Sequence, residues 1–204
     1  MINMLRERLN NRPDLLKISE IIDDKASVLD LGCGGGSFLR LLREVKHIRG
    51  VGLEVDQEKI SECINNGVNV IQSDLNTGLH FSDNSFDFVV LSRTLQAVNR
   101  PDLLLREILR VGNKGIISFI NIGHYRARLQ LAFGGRMPKT KILPSQWYDT
   151  ENIHLCTIAD FRALCREMDV KITQEIPLGH EPGWLVNLMP NLFAPIAIFV
   201  VECN

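Results

Sequence analysis

The sequence lacks an excess of charge of either sign. Its 204 residues include 23 Lys or Arg and 24 Asp or Glu, which gives a net charge of −1. Binding to nucleic acid through the phosphate backbone requires a surplus of basic side chains, so this balance predicts that nucleic acid is not a partner. Because 45% of the residues are hydrophobic, we expect the chain to bury a core and not to be disordered.

The sequence also lacks any apolar run that approaches the length of a membrane-spanning helix, about 18 residues. The amino terminus, MINMLRER, soon becomes charged and has no apolar core of a secretion signal. Cysteine is sparse: there are five, none in the close pairs typical of a zinc site. These absences predict no membrane partner, no bound metal, and a cytoplasmic protein with reduced thiols.

Residues Val28 to Gly36, with the sequence VLDLGCGGG, predict a strand that turns through glycines into an amphipathic helix from Ser37 to Arg43. This order is typical of the first unit of a nucleotide-binding α/β sheet. Ser37 stands where the dinucleotide fingerprint requires glycine, and the Gly-Lys-Ser/Thr of a phosphate loop is missing. The carboxylate of Asp30 would repel a pyrophosphate but suits a ligand with an ammonium group. The pattern Asp-x-Gly-x-Gly-x-Gly resembles motif I of the class I S-adenosylmethionine (SAM) methyltransferases.

More acids lie at the edges of the next predicted strands. Glu54 ends a strand 24 residues after Asp30, where a carboxylate commonly binds a ribose diol. Asp74 and Leu75 follow the third strand, where the resemblance implies contacts to adenine, and Asp87 lies in the fourth strand. Each acid alone fits a helix cap or a solvated loop equally well, but the series favours a ligand site. Contacts to SAM or S-adenosyl-L-homocysteine are predicted for Asp30, Gly32, Cys33, Gly34, Gly36, Glu54, Val55, Asp74, Leu75 and Leu91.

The whole pattern predicts a three-layer α/β fold, Rossmann-like, with seven strands. As in class I methyltransferases, we expect a mostly parallel sheet with an antiparallel last strand. Strands are predicted at residues 28–30, 48–54, 68–71, 86–91, 115–120, 171–176 and 196–201. Helices are predicted at 14–22, 37–43, 101–110 and 157–168, with another that ends at Asn66 before Gly67. We expect residues 1–204 to form one domain.

Residues 121–157 exceed what a minimal sheet needs. Connections of this length without regular structure are usually functional, and this one starts at the carboxyl edge of the sheet, beside the predicted crevice. It is rich in aromatic and basic residues, which suit a substrate lid and a protein interface equally. We therefore expect a cap or interface segment. Candidate contacts to a substrate or partner are Arg93, Tyr125, Arg126, Arg136, Trp147 and Tyr148.

Several longer motifs resemble those of the bacterial MetW proteins, over essentially the whole chain. They are DLGCG at 30–34, VVLSxTLQA at 89–97, GGRMP at 134–138, QWYDTxNIHLCT at 146–157 and NLFA at 191–194, where x marks a position outside the resemblance. The resemblance implies a methyltransferase-fold protein of methionine biosynthesis that acts beside a homoserine O-acyltransferase. Two positions depart from the family pattern: Gly35 stands where we expect Asp, and Arg93 stands where we expect Gln.

The sequence leaves open whether the protein is an enzyme. SAM carries the reactive methyl group, so a methyltransferase needs mainly to position its substrates. The motif that holds an amino group for methylation, Asn/Asp-Pro-Pro-Tyr/Phe, is replaced by Ser92-Arg-Thr-Leu. His124 and His154 are candidate general bases, although each also fits a structural hydrogen bonder.

Three functions follow from these observations. The resemblance favours a SAM-binding partner or regulator of homoserine acylation. A methyltransferase of an unidentified small molecule is the alternative. The third, a scaffold without a cofactor, is disfavoured by the intact set of acids and glycines at 30–36, 54 and 74.

Overall fold

The computed structural model describes residues 9, 12–140, 142–179 and 181–203. The amino-terminal charged stretch lies outside these ranges. The described chain forms a seven-stranded sheet with helices on both faces, as predicted. The strands are β1 (Ser27–Leu31), β2 (Arg49–Glu54), β3 (Val70–Gln72), β4 (Phe86–Ser92), β5 (Gly112–Ile120), β6 (Val170–Leu178) and β7 (Ile196–Cys203).

The strand order is β3-β2-β1-β4-β5-β7-β6. The first five strands run parallel, and β7 is antiparallel to both β5 and β6, which confirms the predicted antiparallel last strand. Strands β1, β2 and β3 extend the sheet to one side, and the chain then crosses back so that β4 lies on the other side of β1. The switch point of the strand order therefore lies between β1 and β4. Open α/β sheets bind ligands at such a switch point, outside the carboxyl ends of the strands.

The helices are α1 (Pro13–Ile21), α2 (Ser37–Lys46), α3 (Gln57–Asn65), α4 (Pro101–Val111), α5 (Tyr125–Gly134), α6 (Ile158–Glu167), α7 (Gly183–Leu188) and α8 (Pro190–Phe193). Local sequence explains several of their starts. The side chain of Asp56 accepts hydrogen bonds from the first turn of α3, and Thr157 with Asp160 forms the predicted capping box of α6. Predicted boundaries of the sheet and its flanking helices differ from these by at most three residues.

The core lies in two layers, one on each face of the sheet. Successive side chains of a strand point to opposite faces, so Val89 and Leu91 of β4 join one layer while Phe88 and Val90 join the other. The first layer includes a cluster of Phe119, Phe161 and Phe199, whose ring centroids lie 4.7 to 5.7 Å apart. Each such side chain contributes about 1.5–3 kcal/mol by leaving water.

Helices α5, α7 and α8 were not among the predicted elements. In α5 only Ala127 is buried, while Leu129, Leu131 and Phe133 are exposed. Its apolar residues therefore do not follow the one-sided period that identifies a surface helix in a sequence. Helices α7 and α8 are too short to show such a period. Among the described residues, no helix is long and apolar enough to cross a membrane.

Candidate functional site

The Gly-rich turn after β1 is tied to the end of β2. The backbone N–H groups of Gly32 and Cys33 both donate to the carbonyl of Leu53, at 2.9 and 3.0 Å. Gly36 has φ +73°, and a Cβ added there would lie 3.0 Å from Cys63 Sγ and 3.1 Å from Val68 Cγ2. Both the left-handed backbone and the close packing require glycine at this position, so any other residue here would strain the turn.

Glu54, predicted to bind a ribose, also holds the turn. Its Oε2 accepts a 2.8 Å hydrogen bond from the backbone N–H of Gly34. Its Oε1 accepts bonds from the backbone N–H groups of Val55 and Asp56, at 2.9 and 3.1 Å. One carboxylate thus orients both the turn and the chain after β2 at the mouth of the crevice.

Asp30 lies beneath this turn and is almost fully buried, with 4% of its surface exposed. Its carboxylate makes no hydrogen bond within the described residues. Burial raises the pKa of the Asp30 carboxyl to about 7; the charge of Arg12 lowers it in part and that of Glu54 raises it further. A buried carboxylate without a hydrogen-bond partner is costly unless a cationic group pairs with it, so the site is suited to an ammonium ligand.

A cavity of about 290 Å³ opens at the ends of β1, β2 and β4. Five predicted cofactor residues contribute to its wall, and so do residues that the sequence did not point to, including Thr94 and Glu151. The predicted contributors are Gly32, Glu54, Val55, Asp74 and Leu75. Asp74 is also the cap of a short 3₁₀ turn, because its Oδ1 accepts a bond from the backbone N–H of Asn76.

The remaining predicted cofactor residues lie next to this cavity or below it. Gly34 and Gly36 belong to the turn, and Leu91 is fully buried in the core. Cys33 Sγ lies 3.7 Å from Cys63 Sγ, and burial raises the pKa of both thiols, which favours the protonated form. Asp87 lies at the opposite end of β4, where it accepts hydrogen bonds from the backbone and hydroxyl of Ser27.

A buried ionic cluster adjoins Asp30 and was not predicted. Asp14 of α1 has no exposed surface. Its carboxylate accepts two hydrogen bonds from Arg12, at 2.9 and 3.1 Å, and one from Arg93 at 2.9 Å. The hydroxyls of Ser92 and Ser118 complete the set, at 2.9 and 3.2 Å. The side chain of Arg93, a candidate partner contact, is thus engaged with Asp14.

Arg12 reaches the end of β4 as well, because its Nη2 donates a 2.7 Å hydrogen bond to Ser92 Oγ. Its positive charge lowers the pKa of the Asp30 carboxyl. The Asp30 end of the crevice therefore has one acidic and one basic group. No sequence motif points to Arg12, which lies in a segment before the first predicted helix.

The segment 135–157 docks on the turn after β4. The carbonyl of Gln96 accepts hydrogen bonds from the backbone N–H groups of Ile153 and His154, at 2.9 and 3.0 Å. The ring of His154 is exposed and lies 3.2 Å, through Nε2, from the carbonyl of Asn99. This docking brings Glu151 to the cofactor-type cavity, while the imidazole of His154 is directed to a surface loop.

His124 is the cap of α5, and its Nδ1 accepts a 3.4 Å hydrogen bond from the backbone N–H of Arg126. Burial lowers the pKa of its imidazole, which favours the neutral ring. His124 and Arg126 line a second cavity that shares no lining residue with the first. The structure therefore places this candidate base apart from the cofactor-type cleft.

Arg136 and Trp147 line one groove on the outer side of the segment. Trp147 is 73% exposed and Tyr148 71% exposed, and their rings meet edge to face with centroids 5.6 Å apart. Other large apolar side chains within residues 121–157 are also exposed. They are Leu129, Leu131, Phe133, Met137, Ile153 and Leu155. Of these, Met137 and Leu155 line the same groove as Arg136 and Trp147, so this groove is a candidate interaction site.

Comparison with known proteins gives consistent results. The model of a family described as methionine biosynthesis protein MetW matches residues 12–201. A protein of Rhodopirellula baltica, named bifunctional methionine biosynthesis protein MetXA/MetW, is 39% identical over 193 residues. The match covers 89% of this chain and 31% of that protein, so the chain spans about a third of the relative's length.

Two solved structures show the same fold at low identity. A protein from Pyrococcus horikoshii OT3 superposes with a TM-score of 0.68 and 18% identity, over 98% of this chain and 91% of that one. A SAM-dependent methyltransferase from Thermotoga maritima, described as a possible histamine N-methyltransferase, superposes with a TM-score of 0.66 and 14% identity over the full length of both chains. The fold is that of the class I SAM-dependent methyltransferases, as predicted.

Proposed function

Because the chain belongs to the MetW family of methionine biosynthesis proteins, we propose that it binds SAM and acts with a homoserine O-acyltransferase. The observation that carries the cofactor half of this proposal is Asp30. Its buried carboxylate has no hydrogen-bond partner among the described residues and lies under a Gly-rich turn at the switch point of the sheet. An ammonium group supplies the missing counter-charge.

The methionine end of SAM carries an ammonium and a carboxylate. We infer that Asp30 binds the ammonium and that Arg12 meets the carboxylate, since Arg12 neighbours Asp30 in the crevice. Guanidinium and carboxylate form strong charge-assisted hydrogen bonds. At the other end, Glu54 would accept from the ribose hydroxyls, and Asp74 with Leu75 would contact the adenine. SAM, when bound, would supply the activated methyl group.

The first expected result concerns thermal stability. A ligand at about 100 times its dissociation constant stabilises a fold by about 2.7 kcal/mol. In a chain of this size, SAM or S-adenosyl-L-homocysteine should therefore raise the melting temperature by roughly 5–10 °C. Differential scanning fluorimetry with both ligands measures this shift. If neither ligand changes the melting temperature at millimolar concentration, the cofactor proposal is wrong.

The second expected result is a pH dependence of SAM affinity. The Asp30 carboxyl must lose its proton to pair with an ammonium, and its pKa is about 7. Between about pH 6 and pH 8 its ionised fraction rises about tenfold, so the affinity should rise by about that factor. Without a ligand, the stability of the protein depends on pH in the opposite direction. Between about pH 4 and pH 7 the Asp30 carboxyl keeps its proton in the folded state but loses it in the unfolded state. Its contribution to the free energy of unfolding therefore falls as the pH rises through this range.

Titration calorimetry of the native protein and of Asp30→Asn at each pH isolates this carboxyl. The ratio of the two affinities should grow with pH as the Asp30 carboxyl ionises, because Asp30→Asn has no proton to lose at this position. A constant ratio would show that Asp30 does not pair with the ligand. Methylthioadenosine, which lacks the amino-acid end, serves as the control ligand and should bind with little dependence on Asp30.

The third expected result concerns Glu54→Gln. The side-chain amide of Gln has one acceptor oxygen where the carboxylate of Glu has two. The variant therefore loses either the hydrogen bond from Gly34 or those from Val55 and Asp56. We expect SAM affinity to fall by about 10- to 150-fold and the free energy of unfolding to fall by about 1–3 kcal/mol. Glu58→Gln, the same change on an exposed helical residue, is the control. Equal affinities of the two variants would rule out a ribose contact by Glu54.

The partner half of the proposal has separate support. The Rhodopirellula baltica relative has MetXA and MetW in the name of one chain, and the family resemblance implies a homoserine O-acyltransferase beside this protein. The exposed aromatic groove at Arg136 and Trp147 provides a docking surface. Residues 121–157 would then be an interface segment on a single SAM-binding domain.

Methyl transfer to a small molecule is the second candidate function. It is favoured by the superposition with a SAM-dependent methyltransferase. Among the described residues that line the cofactor-type cavity, neither candidate base, His124 or His154, is present. The methyl acceptor would therefore have to be nucleophilic without a general base from the protein. An assay for S-adenosyl-L-homocysteine formation, with and without the acyltransferase, separates the candidates. Catalytic turnover of SAM without the partner would favour the methyltransferase.

A further inference from the structure

A second cavity lies under the interface segment, at the carboxyl end of β5. Its volume is about 110 Å³, and its surface is mostly apolar. It shares no lining residue with the cofactor-type cavity. The apolar wall consists of Ile120, Ile122, Ala127, Pro138, Ile142, Leu143 and Pro195.

The volume limits the size of a ligand group. An engineered apolar cavity of about 150 Å³ binds benzene, which has six heavy atoms. By the same proportion, this cavity has room for a group of about four heavy atoms. The apolar wall favours an aliphatic or thioether group, and the narrow volume disfavours a branched one.

The rim of the cavity carries one positive and one negative side chain, Arg126 and Glu181. They are held apart by the hydroxyl of Tyr125, which accepts a 3.0 Å hydrogen bond from Arg126 Nε and donates a 2.9 Å bond to Glu181 Oε1. Both charged groups keep donor or acceptor atoms that make no hydrogen bond within the described residues. The Tyr125 ring is itself held between His124 and Phe193, with centroids 4.5 and 6.0 Å away.

We propose that this cavity binds a free α-amino acid with a short, unbranched, apolar side chain. The α-carboxylate would pair with the Arg126 guanidinium and the α-ammonium with the Glu181 carboxylate, while the side chain fills the cavity. A zwitterion needs opposite charges that are near each other but not already paired, and the Tyr125 hydroxyl maintains that separation. Burial lowers the pKa of the His124 imidazole, which favours an uncharged ring beside this pair.

A ligand at this position would contact the segment that we propose as the docking surface. Pro138 and Leu143 line both this cavity and the outer groove of Arg136 and Trp147. Occupancy of the cavity would therefore be coupled to the conformation of the partner surface. In a methionine biosynthesis protein, an amino acid with a four-atom apolar side chain matches the end product of the pathway, and the site would serve to sense it.

The test uses L-methionine and the isosteric L-norleucine as probes, by titration calorimetry. Each titration is run without and with saturating S-adenosyl-L-homocysteine, which occupies the cofactor cleft so that the cleft cannot take up the free amino acid. We expect both probes to bind with similar, submillimolar dissociation constants. D-Methionine, L-isoleucine and L-homoserine should bind at least tenfold more weakly, because of the wrong handedness, a branched side chain and a polar side chain.

Variants locate the site. Arg126→Ala and Glu181→Gln should each weaken binding at least tenfold, whereas the charge-matched changes Arg106→Ala and Glu167→Gln, on exposed positions of other helices, should not. Ala127→Leu fills the cavity without removing a charge, and it should abolish binding while the melting temperature is retained.

The proposal is overturned if neither probe binds at 10 mM, a concentration of roughly ten times the weakest expected dissociation constant. It is equally overturned if binding disappears when S-adenosyl-L-homocysteine is added, or if Ala127→Leu binds normally. None of these outcomes would affect cofactor binding, which is measured separately by the melting shift with SAM.

Discussion

Replacing Asp14 by asparagine should lower the free energy of unfolding by about 3–5 kcal/mol, the usual loss when one partner of a buried ion pair is removed. The carboxylate has no exposed surface and is the common acceptor for Arg12, Arg93, Ser92 and Ser118. Without its charge, two guanidinium groups would remain close together in a partly buried cluster. The melting temperature should fall by roughly 6–20 °C.

Urea denaturation of Asp14→Asn measures this loss, and two further variants test its cause. The double change Asp14→Asn with Arg93→Gln removes one of the two unpaired cations and should regain part of the stability. Ser92→Ala removes hydrogen bonds but no charge, and it should cost only about 0.5–1.5 kcal/mol. A loss below about 1 kcal/mol for Asp14→Asn would mean that the cluster is well solvated.

The same carboxyl gives a dependence on acid. Burial tends to raise its pKa, but the hydrogen bond and charge of Arg12, with Arg93 and Ser92, hold the pKa below its usual value. A lowered pKa in the folded state stabilises the protein above about pH 4, and this contribution is lost as the pH falls through the folded value. Asp14→Asn should therefore show a weaker dependence of stability on pH in that acidic range.

Much of the fold was predictable because its signals are local. The buried strand before Asp30, the glycines that need positive φ and the Thr157–Asp160 capping box each lie within a few residues of sequence. Even the placement of Glu54 follows from the length of one strand–helix–strand unit. Its additional hydrogen bond to the backbone of Gly34 was not predictable, because it depends on how β2 and the turn pack side by side.

The ionic cluster beside Asp30 could not be predicted from a single sequence, because it too depends on how distant parts of the chain pack together. Asp14 is separated from Ser92 and Ser118 by 78 and 104 positions, and no motif links them. Arg93, with φ +60°, adopts a backbone conformation that is unusual for a side chain of its size. Tertiary contacts, not local preference, hold it there.

The contact between the proposed interface segment and the turn after β4 could likewise not be predicted from the sequence. Gln96 is buried, and its side chain accepts a bond from the backbone of Ile120 while its carbonyl accepts two from residues 153 and 154. The length and composition of residues 121–157 predict a cap or interface segment, but they do not predict this anchor. Through this anchor, Glu151 reaches the cofactor-type cavity while Trp147 remains on the outer surface. One segment therefore adjoins both the proposed cofactor and the proposed partner.

The second large effect is expected for the double change Trp147→Ala with Arg136→Ala. The two residues line one groove, Trp147 is 73% exposed, and Trp and Arg are the residues most enriched at the energetic centres of protein interfaces. We expect affinity for a homoserine O-acyltransferase to fall by a factor of roughly 30 to 1,000, or about 2–4 kcal/mol. Acylation by the mixture should fall in parallel.

Co-purification and titration with the acyltransferase measure this effect against a matched control. Trp184 is 67% exposed on α7, and Arg106 is exposed on α4; neither lines the groove. The double change Trp184→Ala with Arg106→Ala removes the same two side-chain types and should leave the complex intact. Both variants should bind SAM within about threefold of the native affinity, a change below about 0.7 kcal/mol, because neither pair lines the cofactor-type cavity. If the groove variant instead kept the partner and lost SAM, the segment would be a cofactor lid, and methyl transfer would become the better proposal.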